Sequence, residues 1–306
     1  MEMQALLELQ MMMFLLIAVG IIIRKLHIMP VEGKAVLTDL VMDILLPCNI
    51  IHSFQIDFNH ELLLAGLEIL IVSLVLQLFC TLISASCYQK VPKRQRMILQ
   101  YGTVCSNASF LGNPVAEELY GSLGLLYASI YLIPQRVVMW SAGISYFTES
   151  PSKTEIIKKV MRHPCIISVL IGLVIMIAHI RLPGFLDRSI TSLGGCTTAI
   201  TMLLIGAILA DAGFQNMVNR FTLLFSFIRL IAIPVAVMAG CRLFHVETVA
   251  AGVSTVLAAM PAGSTTAILA AKYHGDETFA SQCIVLTTLL SMAILPIWCV
   301  ALDVFL

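Results

Sequence analysis

The chain has 306 residues, 59% of them hydrophobic and 12% charged, and its 18 basic and 18 acidic side chains leave no net charge. A soluble domain carries about a quarter charged residues. These polar groups are too few to cover a globule in water, and a mean hydropathy of +0.96 points to lipid as the main solvent. The balanced charge removes any bulk electrostatic case for nucleic acid.

A span needs about 20 apolar residues. In chain order, candidate spans fall at about 4–23, 35–53, 62–88, 97–119, 122–147, 164–181, 190–210, 221–242, 247–271 and 277–302. The first ten residues hold Glu2 and Glu8 but no Lys or Arg, so the first run lacks the basic flank of a cleavable signal and is expected to be retained. The longest polar stretch, Thr148 to His163, leaves no room for a soluble domain. The expected fold is an all-α integral membrane protein with ten transmembrane helices.

Basic residues orient these spans. The odd-numbered loops hold Arg24, Lys25 and Lys34, then Lys90, Lys93, Arg94 and Arg96, then Lys153, Lys158, Lys159 and Arg162, then Arg220, then Lys272. The even-numbered loops hold only Arg181, Arg188 and Arg242. The positive-inside rule places both termini outside the cytoplasm of a multi-pass cell (plasma) membrane protein. A missed or extra span would scramble this alternation.

The chain divides into a first five-helix unit at 1–147, a cytoplasmic linker at 148–163 and a second five-helix unit at 164–306. In each half a long apolar helix leads into a short polar link with proline, Arg24 to Pro30 and Arg181 to Pro183. Fourth in each half comes a span broken by glycine, proline and small polar residues. The first break runs Ser106-Asn107-Ala108-Ser109-Phe110-Leu111-Gly112-Asn113-Pro114 and the second Ala259-Met260-Pro261-Ala262-Gly263-Ser264-Thr265-Thr266. Five is odd, so the second copy enters the membrane from the opposite side, an inverted repeat.

Proline removes a backbone donor and clashes with the carbonyl four residues back. In hydrocarbon, freed backbone groups survive only against protein or a water-filled cavity. Two breaks at matching positions of inverted halves are therefore expected to meet near the midplane. Their half-helix N-termini present positive dipole ends suited to a small anion.

At these residues the chain resembles the auxin efflux carrier family, the PIN-like transporters whose bacterial members include proteins described as malate and malonate permeases. The resemblance covers nearly the whole chain. It is most specific at Asn107, Gly112, Pro114, Tyr120 and Gly121 in span four and at Pro261, Gly263, Lys272 and Tyr273 in span nine, with Leu46-Pro47 and Leu295-Pro296 also fitting. It implies a bile-acid-symporter/NhaA-like fold with crossed broken helices 4 and 9. Spans one, two, six and seven would form a scaffold, and the other six a moving transport domain with elevator-type alternating access. It further implies an organic anion substrate, Asn107 bonding a substrate carboxylate, and a homodimer. The chain lacks the long central loop of the plant carriers, and Ala262 and Ser264 flank Gly263 where those have bulkier residues, so a small mono- or dicarboxylate is expected rather than auxin.

Single polar residues inside spans complete the reading. Arg136 lies deep in span five, where its planar fork suits a carboxylate; a structural pair is the other reading. Arg229, deep in span eight, reads as structural. Asp43 and Glu68 are coupling candidates, Asp39 is expected at the interface, and Glu117 and Glu118 in solvent. The expected substrate-binding set is Asn107, Gly112, Asn113, Pro114, Arg136, Pro261, Gly263, Ser264 and Thr265.

Nine cysteines show no C-x-x-C spacing, and neither a metal nor another cofactor is expected. No zinc-hydrolase or serine-nucleophile motif argues for an enzyme. The expected function is secondary transport of small organic anions, with membrane lipid as the other partner. The alternatives are a sodium-coupled symporter of the bile-acid type, or a substrate sensor on a transporter scaffold.

Overall fold

The computed structural model describes residues 3–55, 60–139, 143, 145–147, 154, 161–211, 217–263, 265–273 and 275–305. These form α1 (Met3–Lys25), α2 (Val31–Leu40), α3 (Leu46–Ser53), α4 (His60–Cys87), α5 (Lys93–Val104), α6 (Asn113–Val138), α7 (Pro164–Ile177), α8 (Gly184–Gly195), α9 (Thr197–Ala210), α10 (Arg220–Phe227), α11 (Ile233–Leu243), α12 (Thr248–Ala258), α13 (Thr265–Lys272) and α14 (Glu277–Phe305). Among the described residues the only β pairing is one isolated antiparallel bridge. Ser264 and most of the 148–163 linker lie outside the described residues.

Among the described residues five segments are long and apolar enough to cross a bilayer: Glu32–Ser53, Leu64–Cys87, Gly184–Ala210, Arg220–Leu243 and Glu277–Leu302. Pro164–Ile177 and Thr248–Ala258 are shorter apolar helices. Large aliphatic side chains such as Ile71, Val75, Leu78 and Val174 point outward. In water that surface would drive aggregation; in lipid it costs nothing. The chain is a multi-pass membrane protein.

Helix starts follow local chemistry. The Asn219 carboxamide accepts from the backbone N–H of Phe221 and Thr222, and Thr222 Oγ accepts from Asn219 N–H, a reciprocal cap for α10. The Glu247 carboxylate accepts from Val249 and Ala250 at the start of α12. His163 Nδ1 accepts from Cys165 N–H at the start of α7.

Three of the spans that contain proline absorb it the same way. π-helical turns at Val41–Leu45, Ala108–Gly112 and Ile228–Ala232 each end two residues before Pro47, Pro114 and Pro234. The wider turn moves the clashing carbonyl off the ring. A freed carbonyl then needs a donor in hydrocarbon. Leu230, four residues before Pro234, receives one from the Trp298 indole N–H at 2.9 Å.

Two corners repeat. α1 ends with His27 in the left-handed region (φ 61°) and hands over to Pro30, which caps α2. α7 ends with His179 (φ 51°) and hands over to Pro183, which caps α8. Both following spans are interrupted about a dozen residues on, by the π turn at Val41–Leu45 and by the Gly194-Gly195-Cys196 junction of α8 and α9.

Packing sorts the helices by contact rather than by chain half. α1 lies along α9, α3 against α7 and α8, and α2 against α9. A second group joins α4 to α5, α6 and α12, α12 to α11, and α14 to α10 and α13. The α1–α9 contact is backbone on backbone: a Cβ on Gly206 would sit 2.1 Å from the Ile17 carbonyl oxygen, and one on Gly20 would sit 2.3 Å from that of Leu203. Small residues at such crossings are how helices approach without a hydrophobic drive.

Candidate functional site

The two broken spans meet. α5 stops at Val104 and a helical segment resumes at Ala108; α12 stops at Ala258 and α13 begins at Thr265. Between those ends the two segments pair antiparallel at Ser106 and Ala262. The Asn107 N–H donates to the Pro261 carbonyl at 2.7 Å, and the Gly263 N–H donates to the Cys105 carbonyl at 3.2 Å. Backbone groups freed by each break are thus satisfied by the other, which is the condition for irregular backbone at membrane depth. Gly112 lets this happen closely, since a Cβ there would stand 2.5 Å from Leu257 Cδ2 and 3.0 Å from Met260 Cγ.

Side chains from the next span of each half hold the crossing. Gln135 Nε2 donates to the Ser106 carbonyl at 2.9 Å, while Ser106 Oγ donates back to Gln135 Oε1 at 3.1 Å. Thr287 Oγ accepts from the Ala262 N–H at 3.2 Å. Tyr101 donates its hydroxyl to Thr265 Oγ at 3.2 Å. Gln135 and Thr287 escaped the sequence reading; the signal was an amide and a hydroxyl pair, Thr287-Thr288, deep in spans five and ten.

Two buried arginines sit here in opposite electrostatic settings. Arg229, 3% exposed, donates from Nε to the Met260 carbonyl at 3.0 Å and from Nη1 to the Thr103 carbonyl at 3.4 Å. Thr103 is in the last turn of α5 and Met260 lies two residues past the end of α12, so the cation lies at the negative ends of two helix dipoles. Arg136, 2% exposed, donates from Nη2 to Ser109 Oγ at 3.2 Å, and its Nη1 has no hydrogen-bond partner. Ser109 is in the first turn of the resumed helix, whose end is positive. Among the described residues no carboxylate pairs with Arg136; Arg24 and Lys34, by contrast, both pair with Asp211.

The other expected residues fall as follows. Asn107 lines a small cavity of about 40 Å³ together with Thr38, Phe110, Leu204, Ile205 and Ile284. Asn113 and Pro114 are buried beside the break, and neither polar atom of the Asn113 amide has a partner. Thr265 is half-buried, and Pro261 and Gly263 are in the pairing itself. Ser264 lies outside the described residues. Asp43 is exposed, in the π turn before Pro47, and Asp39 is exposed as well. Glu68 is engaged elsewhere, accepting from the Glu247 N–H at 2.9 Å. Glu118 is exposed, whereas Glu117 is half-buried and accepts from the Asn49 amide at 2.7 Å, a bridge from α6 to α3.

Gly121 closes the first broken span. Its φ of 64° with ψ of −155° is open to glycine alone. The chain bends so sharply there that a Cβ on Gly124 would lie 2.1 Å from the Ala116 carbonyl oxygen; eight residues of straight helix would separate them by about 12 Å.

Likeness to known proteins runs along almost the entire chain. The model of the family described as "Membrane transport protein" matches residues 5–299. An uncharacterized transporter of Methanothermobacter thermautotrophicus is 24% identical, over 94% of this chain and 95% of its own length. An uncharacterized transporter of Methanocaldococcus jannaschii is 22% identical, over 93% of this chain and 94% of its own. With a family match along nearly its whole length and two paired breaks in an apolar helical body, the chain belongs to the membrane transport protein family, that of the auxin efflux carriers.

Proposed function

We propose that the chain is a secondary carrier of small organic anions, short mono- or dicarboxylates such as malate or malonate. The observation that carries this reading is Arg136: a buried guanidinium with a free Nη1 beside the positive end of a resumed helix. An arginine at membrane depth costs at least ~2.5 kcal/mol, and a neighbouring dipole of the same sign adds to it. A substrate carboxylate set against both would turn that cost into binding. The amides of Asn107 and Asn113, with Thr265, supply neutral donors around it.

In this reading the ten spans form two inverted five-helix repeats, 1–147 and 164–306, with both termini outside the cytoplasm. The repeated His–Pro corners, the matched interruptions after them and the reciprocal pairing of the breaks support it. The α1, α2, α3, α7, α8 and α9 group serves as scaffold and the remainder carries the crossing past it, in an elevator-type cycle. The Asn107 cavity, lined from both groups, lies on that sliding surface. Asp43 is the proposed coupling carboxylate of the scaffold side, and a homodimer the proposed assembly.

The test is flux of labelled malate, malonate, lactate and indole-acetate into proteoliposomes, with and without a sodium gradient. Arg136→Ala and Asn107→Ala are expected to abolish or cut uptake by about tenfold or more, since a charged hydrogen bond contributes about 1.5–3 kcal/mol. Wild-type uptake in both variants would refute the site.

A further inference from the structure

The two His–Pro corners share a backbone and differ in chemistry. In the first, Lys34 follows Pro30 by four residues and Asp211 closes α9. The Asp211 carboxylate accepts from Arg24 Nε at 2.7 Å and from Lys34 Nζ, and Arg24 Nη1 also donates to the Met29 carbonyl at 2.9 Å. These three charges satisfy one another within the chain.

In the second, Asp187 follows Pro183 by four residues and Gln55 lies just past the end of α3. No ion pair among the described residues closes it. Instead the corner borders an open cavity of about 350 Å³ lined by Phe54, Gln55, Met176, His179, Arg181 and Asp187. Gln55 Nε2 and Asp187 Oδ1 are buried there without a partner. A donor and an acceptor left open in one cavity are rare enough to call for an explanation. Ile180 lines the cavity and is exposed, as are Ile177, Phe185 and Leu186 close by in the chain. Apolar side chains meeting a polar hollow at a span end mark headgroup depth.

We propose that this corner binds the headgroup of an amine-bearing zwitterionic phospholipid. The Asp187 carboxylate can only accept, so it takes the ammonium; the Gln55 amide N–H and the Arg181 guanidinium can only donate, so they take the phosphate. The acyl chains leave along Ile180, Phe185 and Leu186. A choline headgroup has no N–H for Asp187, and a glycerol headgroup has no cation for it. The site stands apart from the crossing, and the proposal does not rest on the transport reading.

The test uses the whole protein purified free of lipid in mild detergent. Phosphatidylethanolamine, phosphatidylcholine, phosphatidylglycerol or soluble phosphoethanolamine is added back, and lipid retention is read by native mass spectrometry alongside the unfolding temperature. Phosphatidylethanolamine is expected to be retained and to raise the unfolding temperature, with the other two lipids about tenfold weaker, as loss of one charged hydrogen bond dictates. Asp187→Asn and Gln55→Leu should each bring phosphatidylethanolamine down to that weaker level, while Asp211→Asn, in the closed corner, leaves its binding intact. Equal retention of all three lipids, or wild-type retention in both Asp187→Asn and Gln55→Leu, would overturn the proposal. So would the same stabilisation from soluble phosphoethanolamine at equal concentration, which would make the ligand a dissolved zwitterion.

Discussion

Replacing Arg229 and Arg136 by methionine, one at a time, should shift stability in opposite directions. Arg229 gives two hydrogen bonds to helix-end carbonyls that have no water to turn to. At about 1.5–3 kcal/mol for each bond from a charged donor, its loss forfeits about 3–6 kcal/mol and relieves a burial cost of at least ~2.5 kcal/mol, a net loss of about 0.5–3.5 kcal/mol. Arg136 gives a bond to Ser109 and keeps a nitrogen unpaired. Removing it forfeits about 1.5 kcal/mol but relieves a burial cost of at least ~2.5 kcal/mol, a net gain of about 1 kcal/mol. Methionine has nearly the length of the arginine stem and leaves little cavity. The assay is equilibrium unfolding of the purified protein in mixed micelles, with anion flux measured on the same preparations. Arg136→Met should be as stable as wild type or more so, and inactive; Arg229→Met should be less stable. If Arg136→Met loses as much stability as Arg229→Met, its guanidinium holds the fold together and the anion argument fails.

Other expectations follow from single positions. Gly121→Ala meets no atom within 4 Å, so its whole cost is backbone strain at φ 64°, about 1–3 kcal/mol, visible as a lower unfolding temperature; an unchanged temperature would contradict the bend. Gly206→Leu should part α1 from α9, because its first carbon already overlaps the Ile17 carbonyl, and should cost more than Gly240→Leu, where no atom lies nearby; equal stability would contradict that close contact. His163, whose pKa burial and the Arg136 charge push down to about 4, caps α7 only while Nδ1 is neutral. Its folded pKa lies below the unfolded value of about 6.5, so stability is complete above that value and falls as pH drops from there toward about 4. His163→Asn keeps a capping acceptor and should flatten that part of the pH–stability curve; an unaltered slope would mean that His163 does not set it.

Much of this molecule is legible in its sequence, and the reasons are local. Long apolar runs announce the spans, and Pro114, Pro261 and their glycines announce the breaks, because proline and glycine act on their own backbone. Pro30 and Pro183 announce the two corners for the same reason. What escaped was set by distance along the chain. Nothing near Arg229 in sequence says that it will find the carbonyls of residues 103 and 260. Nothing near Gln135 says that it will clamp Ser106. Glu68 looks like an isolated carboxylate in span three until the fold brings the Glu247 N–H to it. Glu117 looks solvated until α3 places Asn49 against it. The π turns before Pro47, Pro114 and Pro234 were equally silent, since a one-residue widening leaves no mark in the hydropathy pattern.

The proposed carrier site is built on the pairing of residues 106 and 262, and a disulfide reads that pairing directly. Opposed residues of this kind of antiparallel pair, flanked by the Asn107 and Gly263 hydrogen bonds, have α-carbons about 4.5 Å apart, within reach of an S–S bridge. With the nine native cysteines replaced, Ser106→Cys combined with Ala262→Cys should cross-link within one chain, in native membranes, under a mild oxidant. The cross-linked protein should still carry a labelled carboxylate if, as in the proposed elevator-type cycle, the crossing travels as one body. No cross-link, or one that forms only after the membrane is dissolved, would contradict it.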